Sequence, residues 1–220
     1  MGLRYYDYSL IQLKEYIEHY TNTPGFGSPN IFLLALSLLI IAGAFFLGQK
    51  LLEIKPSYKH YDPNEYPDRL KGTNGLLILA KIIFFGIFVM NCVNFYLSLY
   101  YYGSNPWDFL TTNNLKYPSP LWPLTILFIT STNLLLLLYS IFIFFAEFKK
   151  KRIFKFVVII YLYLILLIAV IKYFLFSQVF ESSHEVVYQS FIYMSFLLQI
   201  TIVISAYIGF SRRVNATFSN

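Results

Sequence analysis

Five apolar stretches, each longer than twenty residues, constrain this 220-residue chain more than any other feature. They run from Ile31 to Leu52, Gly75 to Tyr102, Leu121 to Ala146, Ile153 to Phe176 and Tyr188 to Phe210. At about 1.5 Å per helical residue, the shortest reaches roughly 33 Å, enough to cross a hydrocarbon core of about 30 Å. A membrane strand needs only about ten residues of alternating polarity, and these runs do not alternate. Ser28-Pro29 opens the first run with a capping residue followed by the residue that suits a first helical turn. The fold class expected is an all-α integral membrane protein, a bundle of five transmembrane helices.

Charge supports that class. Only 13% of residues are charged, where a soluble domain carries about a quarter, so the surface is built for lipid. The aromatic residues are scattered through every apolar run and gather at the run ends, which fits packing and interfacial belts, and no cofactor is expected. The formal net charge of +6 lies beside the hydrophobic runs, so it reads as a topology signal and not as a nucleic-acid interface. Cys92, the one cysteine, sits inside an apolar run and can form neither an intrachain disulfide nor a cysteine-based metal site. Met1 to His19 lack the basic stretch and apolar core of a secretory signal, so the mature chain is expected to begin near Met1.

Orientation follows from the cations. The loops after the first and third runs and the C-terminal tail hold Lys50, Lys55, Lys59, Arg69, Lys71, Lys149, Lys150, Lys151, Arg152, Lys155, Arg212 and Arg213, against Arg4, Lys14 and Lys116 on the other side. Basic residues resist translocation, which predicts the N-terminus outside and the C-terminus in the cytoplasm. Residues 1–30 then form an extracytoplasmic segment, 31–52 a first transmembrane helix, 53–74 a cytoplasmic loop, 75–210 a four-helix membrane domain and 211–220 a cytoplasmic tail. Within the first segment Leu10, Leu13, Ile17 and Tyr20 recur at helical spacing, predicting a short amphipathic helix on the outer interface or docked on the bundle. Thr23-Pro24-Gly25-Phe26-Gly27 turns the chain into the first span. The outer loop Gly103 to Pro120 is long enough to order in part, and Trp122 stands where an interfacial belt residue belongs.

Polar residues inside spans are costly unless they face a partner or water. Lys81 and Lys172 lie near span ends and are expected to snorkel. Thr130, Thr132, Asn91, Asn94, Asn133 and Gln199 lie deeper; Asn91 and Asn94 share a helical face, and the four amides form a possible intramembrane network. No Asp or Glu lies mid-span, which weighs against a proton-coupled pump or a cation channel. His19, His60 and His184 lack metal-ligand spacing, with His184-Glu185 read as a solvated loop pair, and no catalytic constellation is recognised, so neither a metal site nor an enzyme is expected. Asn215-Ala216-Thr217 fits a glycosylation triplet but falls on the cytoplasmic side of the expected topology.

Local wording adds a resemblance. Gly72-Thr73-Asn74-Gly75-Leu76-Leu77, Pro118-Ser119-Pro120-Leu121-Trp122, Asn133, the basic turn Lys149 to Arg152 and, above all, Arg213-Val214-Asn215-Ala216-Thr217-Phe218 resemble the YdgK-like family of bacterial inner-membrane proteins, a four-helix domain of unknown function. Asn215 replaces that family's usual Lys, Thr73-Asn74 depart from its Gly-Trp opening, and the first 71 residues add a helix. The resemblance implies a multi-pass protein of the bacterial cytoplasmic membrane and implies no activity. The functional expectation is a non-catalytic accessory protein or subunit that binds another membrane component, with Arg212, Arg213 and Phe218 as an inner-face contact to lipid or partner. The alternative is a small-solute transporter or channel using Asn91, Asn94, Asn133 and Gln199.

Overall fold

The computed structural model describes residues 8–20, 25–53, 76–113, 119–148, 153–180, 184–211 and 214. Its helices are α1 (Tyr8–Tyr20), α2 (Ile31–Glu53), α3 (Leu76–Ser98), α4 (Ser104–Asp108), α5 (Trp122–Phe148), α6 (Phe154–Val179) and α7 (Glu185–Phe210), with a 3-10 turn at Leu99–Tyr102 and a π turn at Phe109–Asn113. Among the described residues the only strand-like contact is an antiparallel bridge between Pro29 and Gly103. Helices α2, α3, α5, α6 and α7 are long and apolar enough to cross a membrane. Lipid-type surface covers them: Leu39, Phe46, Ile82, Tyr96, Val203 and Phe210 all stand exposed.

Neighbouring spans pack in the order α2, α5, then α3 and α6 on α5, with α7 against α6. Helices α3 and α5 run antiparallel, as Lys81 meets Glu147, Phe88 meets Phe144 and Asn94 meets Asn133 at successive levels. Side chains from α3, α5, α6 and α7 fill a long core that includes Phe84, Ile143, Val158, Ile165, Leu197 and Ile204. Val214, just past α7, is fully buried in that same core. The Lys155 ammonium donates to the Gly209 carbonyl at 2.9 Å, tying the start of α6 to the last turn of α7, where free carbonyls favour a cation.

A second core closes the opposite end. The stripe Leu10, Leu13, Tyr16 and Ile17 of α1 is buried against Tyr101, Phe109, Leu110, Trp122, Phe176, Phe180 and Val186, while Glu15, Glu18 and His19 face out. The Tyr101 hydroxyl donates to the Leu10 carbonyl at 2.7 Å. Thus α1 docks on the bundle, one of the two placements its spacing allowed. Trp122 is fully buried, edge-on to Phe180 at 5.1 Å, and does not serve as a belt residue. His184 is no solvated loop residue: its Nδ1 caps α7 by accepting from Val186 N at 3.2 Å, and its ring stacks on Phe180 at 4.2 Å.

The lead into α2 also differs from the sequence expectation. Asn30, not Ser28, caps the helix, its Oδ1 accepting from Leu33 N at 3.3 Å. Ser28 and Pro29 instead join the segment between α3 and α4: Asn30 N donates to Tyr102 O and Ser104 N to Ser28 O, both at 2.7 Å. Gly27 adopts φ +71°, and a Cβ there would strike Ser104 and Asn105; one on Gly103 would strike the Phe26 carbonyl. Deeper, the Ser37 and Tyr102 hydroxyls bond at 2.7 Å and Gly48 brings the α2 backbone against the Phe142 ring. These contacts make α2 a fixed fifth helix, not a tethered one.

Candidate functional site: a buried polar seam

The core-facing stripe of α3 changes character half-way. Phe84 and Ile87 give way to Asn91, Asn94 and Ser98, all buried and spaced three and four residues apart on one face. Opposite them α5 presents Asn133 and Ser140, seven residues apart and likewise buried. From α6 comes Tyr161, 1% exposed.

These groups bond to one another across helices. Asn91 Nδ2 donates to the Tyr161 hydroxyl, while the Ser140 hydroxyl donates to the Leu137 carbonyl of its own helix at 2.8 Å. Asn133 Nδ2 donates to the Asn94 backbone carbonyl at 3.4 Å. Tyr139 stacks on Tyr161 with ring centroids 5.2 Å apart, and its hydroxyl donates to the Val157 carbonyl at 3.2 Å. On α7, Thr201 reaches the Leu162 carbonyl of α6 at 3.4 Å. Thr130 and Thr132 turn their hydroxyls back to carbonyls four residues earlier on α5, and Thr125 to that of Leu121 just before it, which satisfies them without a partner helix.

Of the four amides singled out in the sequence, Asn91, Asn94 and Asn133 come together in this seam. Gln199 stands apart, exposed on the side of α7 that faces away from α6. Arg212, Arg213 and Phe218 lie outside the described residues, as does the Asn215 triplet. Tyr161 and Tyr139 were not singled out, because a tyrosine among many aromatic residues carries no sequence mark of its role; only the register between α5 and α6 reveals it.

Charged groups flank the seam. Lys81 and Glu147 form an ion pair between α3 and α5, with side chains 31% and 19% exposed, so Lys81 is held by a partner helix and not only by the interface. Lys172, expected to snorkel, is 5% exposed on the core stripe of α6, its ammonium 5.4 Å from the Phe176 ring centroid. Chemically the seam offers neutral amides, phenols and aliphatic hydroxyls: groups that can donate and accept hydrogen bonds.

A family model described as a protein of unknown function (DUF2569) matches residues 70–219, about two-thirds of the chain. The chain belongs to this family. The matched region holds α3 to α7, the whole seam and the buried Val214, while α1 and α2 precede it. Comparison with curated proteins and with solved structures gives no match. Membership of DUF2569, a family of unknown function, assigns no activity to this chain.

Proposed function

We propose that this DUF2569 protein is a non-catalytic accessory component of the bacterial cytoplasmic membrane that binds another membrane component. In this reading the five long helices cross the bilayer with the N-terminus outside and the C-terminus inside, as the distribution of Lys and Arg favours. The tail wording Arg213 to Phe218 supports a finer kinship with the YdgK-like proteins.

One observation carries the non-transport part of this reading: the mid-membrane amides Asn91 and Asn133 spend their hydrogen bonds on neighbouring helices. Amides bonded in this way hold helices together, at about 0.6 kcal/mol per bond on average, and leave less for a passing solute. The same bonding weighs against the transporter alternative. Arg212, Arg213 and Phe218 are the inner-face contact in this account.

Crosslinking of the natively expressed protein in intact membranes, followed by gentle extraction and mass spectrometry, tests it. A reproducible membrane partner other than the chain itself is the expected result; recovery without any such partner contradicts the reading. Deleting residues 215–220, which spares Val214, should lower recovery of that partner. Unchanged recovery would leave the tail as a topology anchor alone.

A further inference from the structure

Helix α7 is an edge helix. It packs on α6 along its length and on α1 near its start, burying Val186, Val187, Ser190, Leu197, Thr201, Ile204 and Ile208. The opposite side is open, with Tyr188, Ile192, Ile202, Val203 and Phe210 exposed. Open apolar surface on a spanning helix is ordinary, because lipid covers it. Gln199 is not ordinary.

Gln199 is exposed on this open side and falls within about 2 Å of the middle of the 26-residue helix at 1.5 Å per residue. Half of a roughly 30 Å hydrocarbon core is about 15 Å, well beyond the reach of a glutamine side chain, so snorkelling cannot rescue it. Among the described residues it has no hydrogen-bond partner. By contrast, the polar groups at the same depth on α3, α5 and α6 are turned inward and bonded. The open face of α2 is more extensive, but Ser37, in its second turn, is already bonded to Tyr102, and residues 38–47 at its centre are all apolar or glycine, so nothing there calls for a partner.

A carboxamide both donates and accepts, so it is its own complement. Two copies of the chain inserted in the same direction and related by a two-fold axis along the membrane normal bring identical residues together at identical depth, and closed two-fold pairing is the commonest symmetry of homo-oligomers. The surroundings allow the approach: Ile192, Gln199 and Ala206 repeat every seven residues, and Gly209, at the end of the same face, has open space where its Cβ would be. We propose that the open face of α7 is a homodimer interface in which Gln199 of one copy pairs with Gln199 of the other. This goes beyond the accessory reading: it rests on the bilayer crossing proposed there but not on that partner, since the partner here is the chain itself.

The test uses the full chain reconstituted in lipid vesicles, with self-association read by energy transfer between two fluorophore-labelled populations across a range of protein-to-lipid ratios. Concentration-dependent transfer is expected, with Gln199→Leu weakening apparent dimer affinity about three- to tenfold and Gln199→Asn retaining most of it. Because residue 199 is exposed, both variants should remain monodisperse. In native membranes, Gln199→Cys in a Cys92→Ser background should form a disulfide dimer, and cysteine at Leu197, on the buried side, should not. Transfer no greater than that of a non-associating membrane protein overturns the proposal. So does transfer unaffected by Gln199→Leu, or capture of a different protein by the cysteine at 199.

Discussion

Replacing Leu13 with Ala tests whether α1 is held by its apolar stripe against the bundle. Leu13 is fully buried, between Leu10 and Ile17 at 1% exposure and beside Tyr16 at 7%. Removing a leucine side chain from such a packed site costs about 2–5 kcal/mol. An undocked α1 can lay the same stripe on the lipid interface and recover part of that, so the lower end applies, about 2 kcal/mol. That corresponds to roughly a thirty-fold rise in the undocked population. Hydrogen exchange of residues 8–20, followed by mass spectrometry in lipid nanodiscs, reads this directly, with exchange expected to accelerate in Leu13→Ala while the spans stay protected. Glu15→Ala, on the exposed face, should leave exchange nearly unchanged. Equal protection in wild type and Leu13→Ala would refute docking through this stripe.

Other outcomes follow from the same contacts. Asn91→Ala and Tyr161→Phe should be less than additive in destabilisation, with a coupling of about 0.6–1.7 kcal/mol in a double-mutant cycle by unfolding in bicelles; strict additivity would mean that the bond between them contributes nothing. Lys81→Met should destabilise by about 1 kcal/mol, given the partial exposure of the pair, and Lys81→Glu with Glu147→Lys should restore thermal stability. Ser28 and Ser104 hydroxyls lie 3.1 Å apart, so a Ser28→Cys, Ser104→Cys pair in a Cys92→Ser background should oxidise to an intramolecular disulfide, seen as a thiol-blocking difference; persistent free thiols would contradict the clasp between α2 and the family domain.

The five spanning-type helices were legible because length and apolarity alone announce them. Rotation about each axis was not, since the spans are apolar on nearly every side and depth along the chain says nothing of direction around it. Gln199 shows the consequence: its depth matches that of Asn133 and Asn94, yet it faces the other way. Lys172 shows it again, for a cation near a span end snorkels only if its face is open, and its face packs inward. Amphipathic α1 was the opposite case: Leu10, Leu13 and Ile17 announced a buried stripe, and only the aromatic surface that receives it was hidden. That surface gathers Tyr101, Trp122, Phe180 and His184 from three separate parts of the chain, a convergence set by how the spans return to one end.

Substituted-cysteine labelling tests most directly the claim of five crossings with α1 docked outside. Glu15→Cys and Asn220→Cys, each in a Cys92→Ser background, would be probed with a membrane-impermeant maleimide on spheroplasts before and after lysis. Labelling at 15 before lysis, and at 220 only afterwards, is the expected result. Labelling of both positions under the same condition would require an even number of crossings and contradict the account.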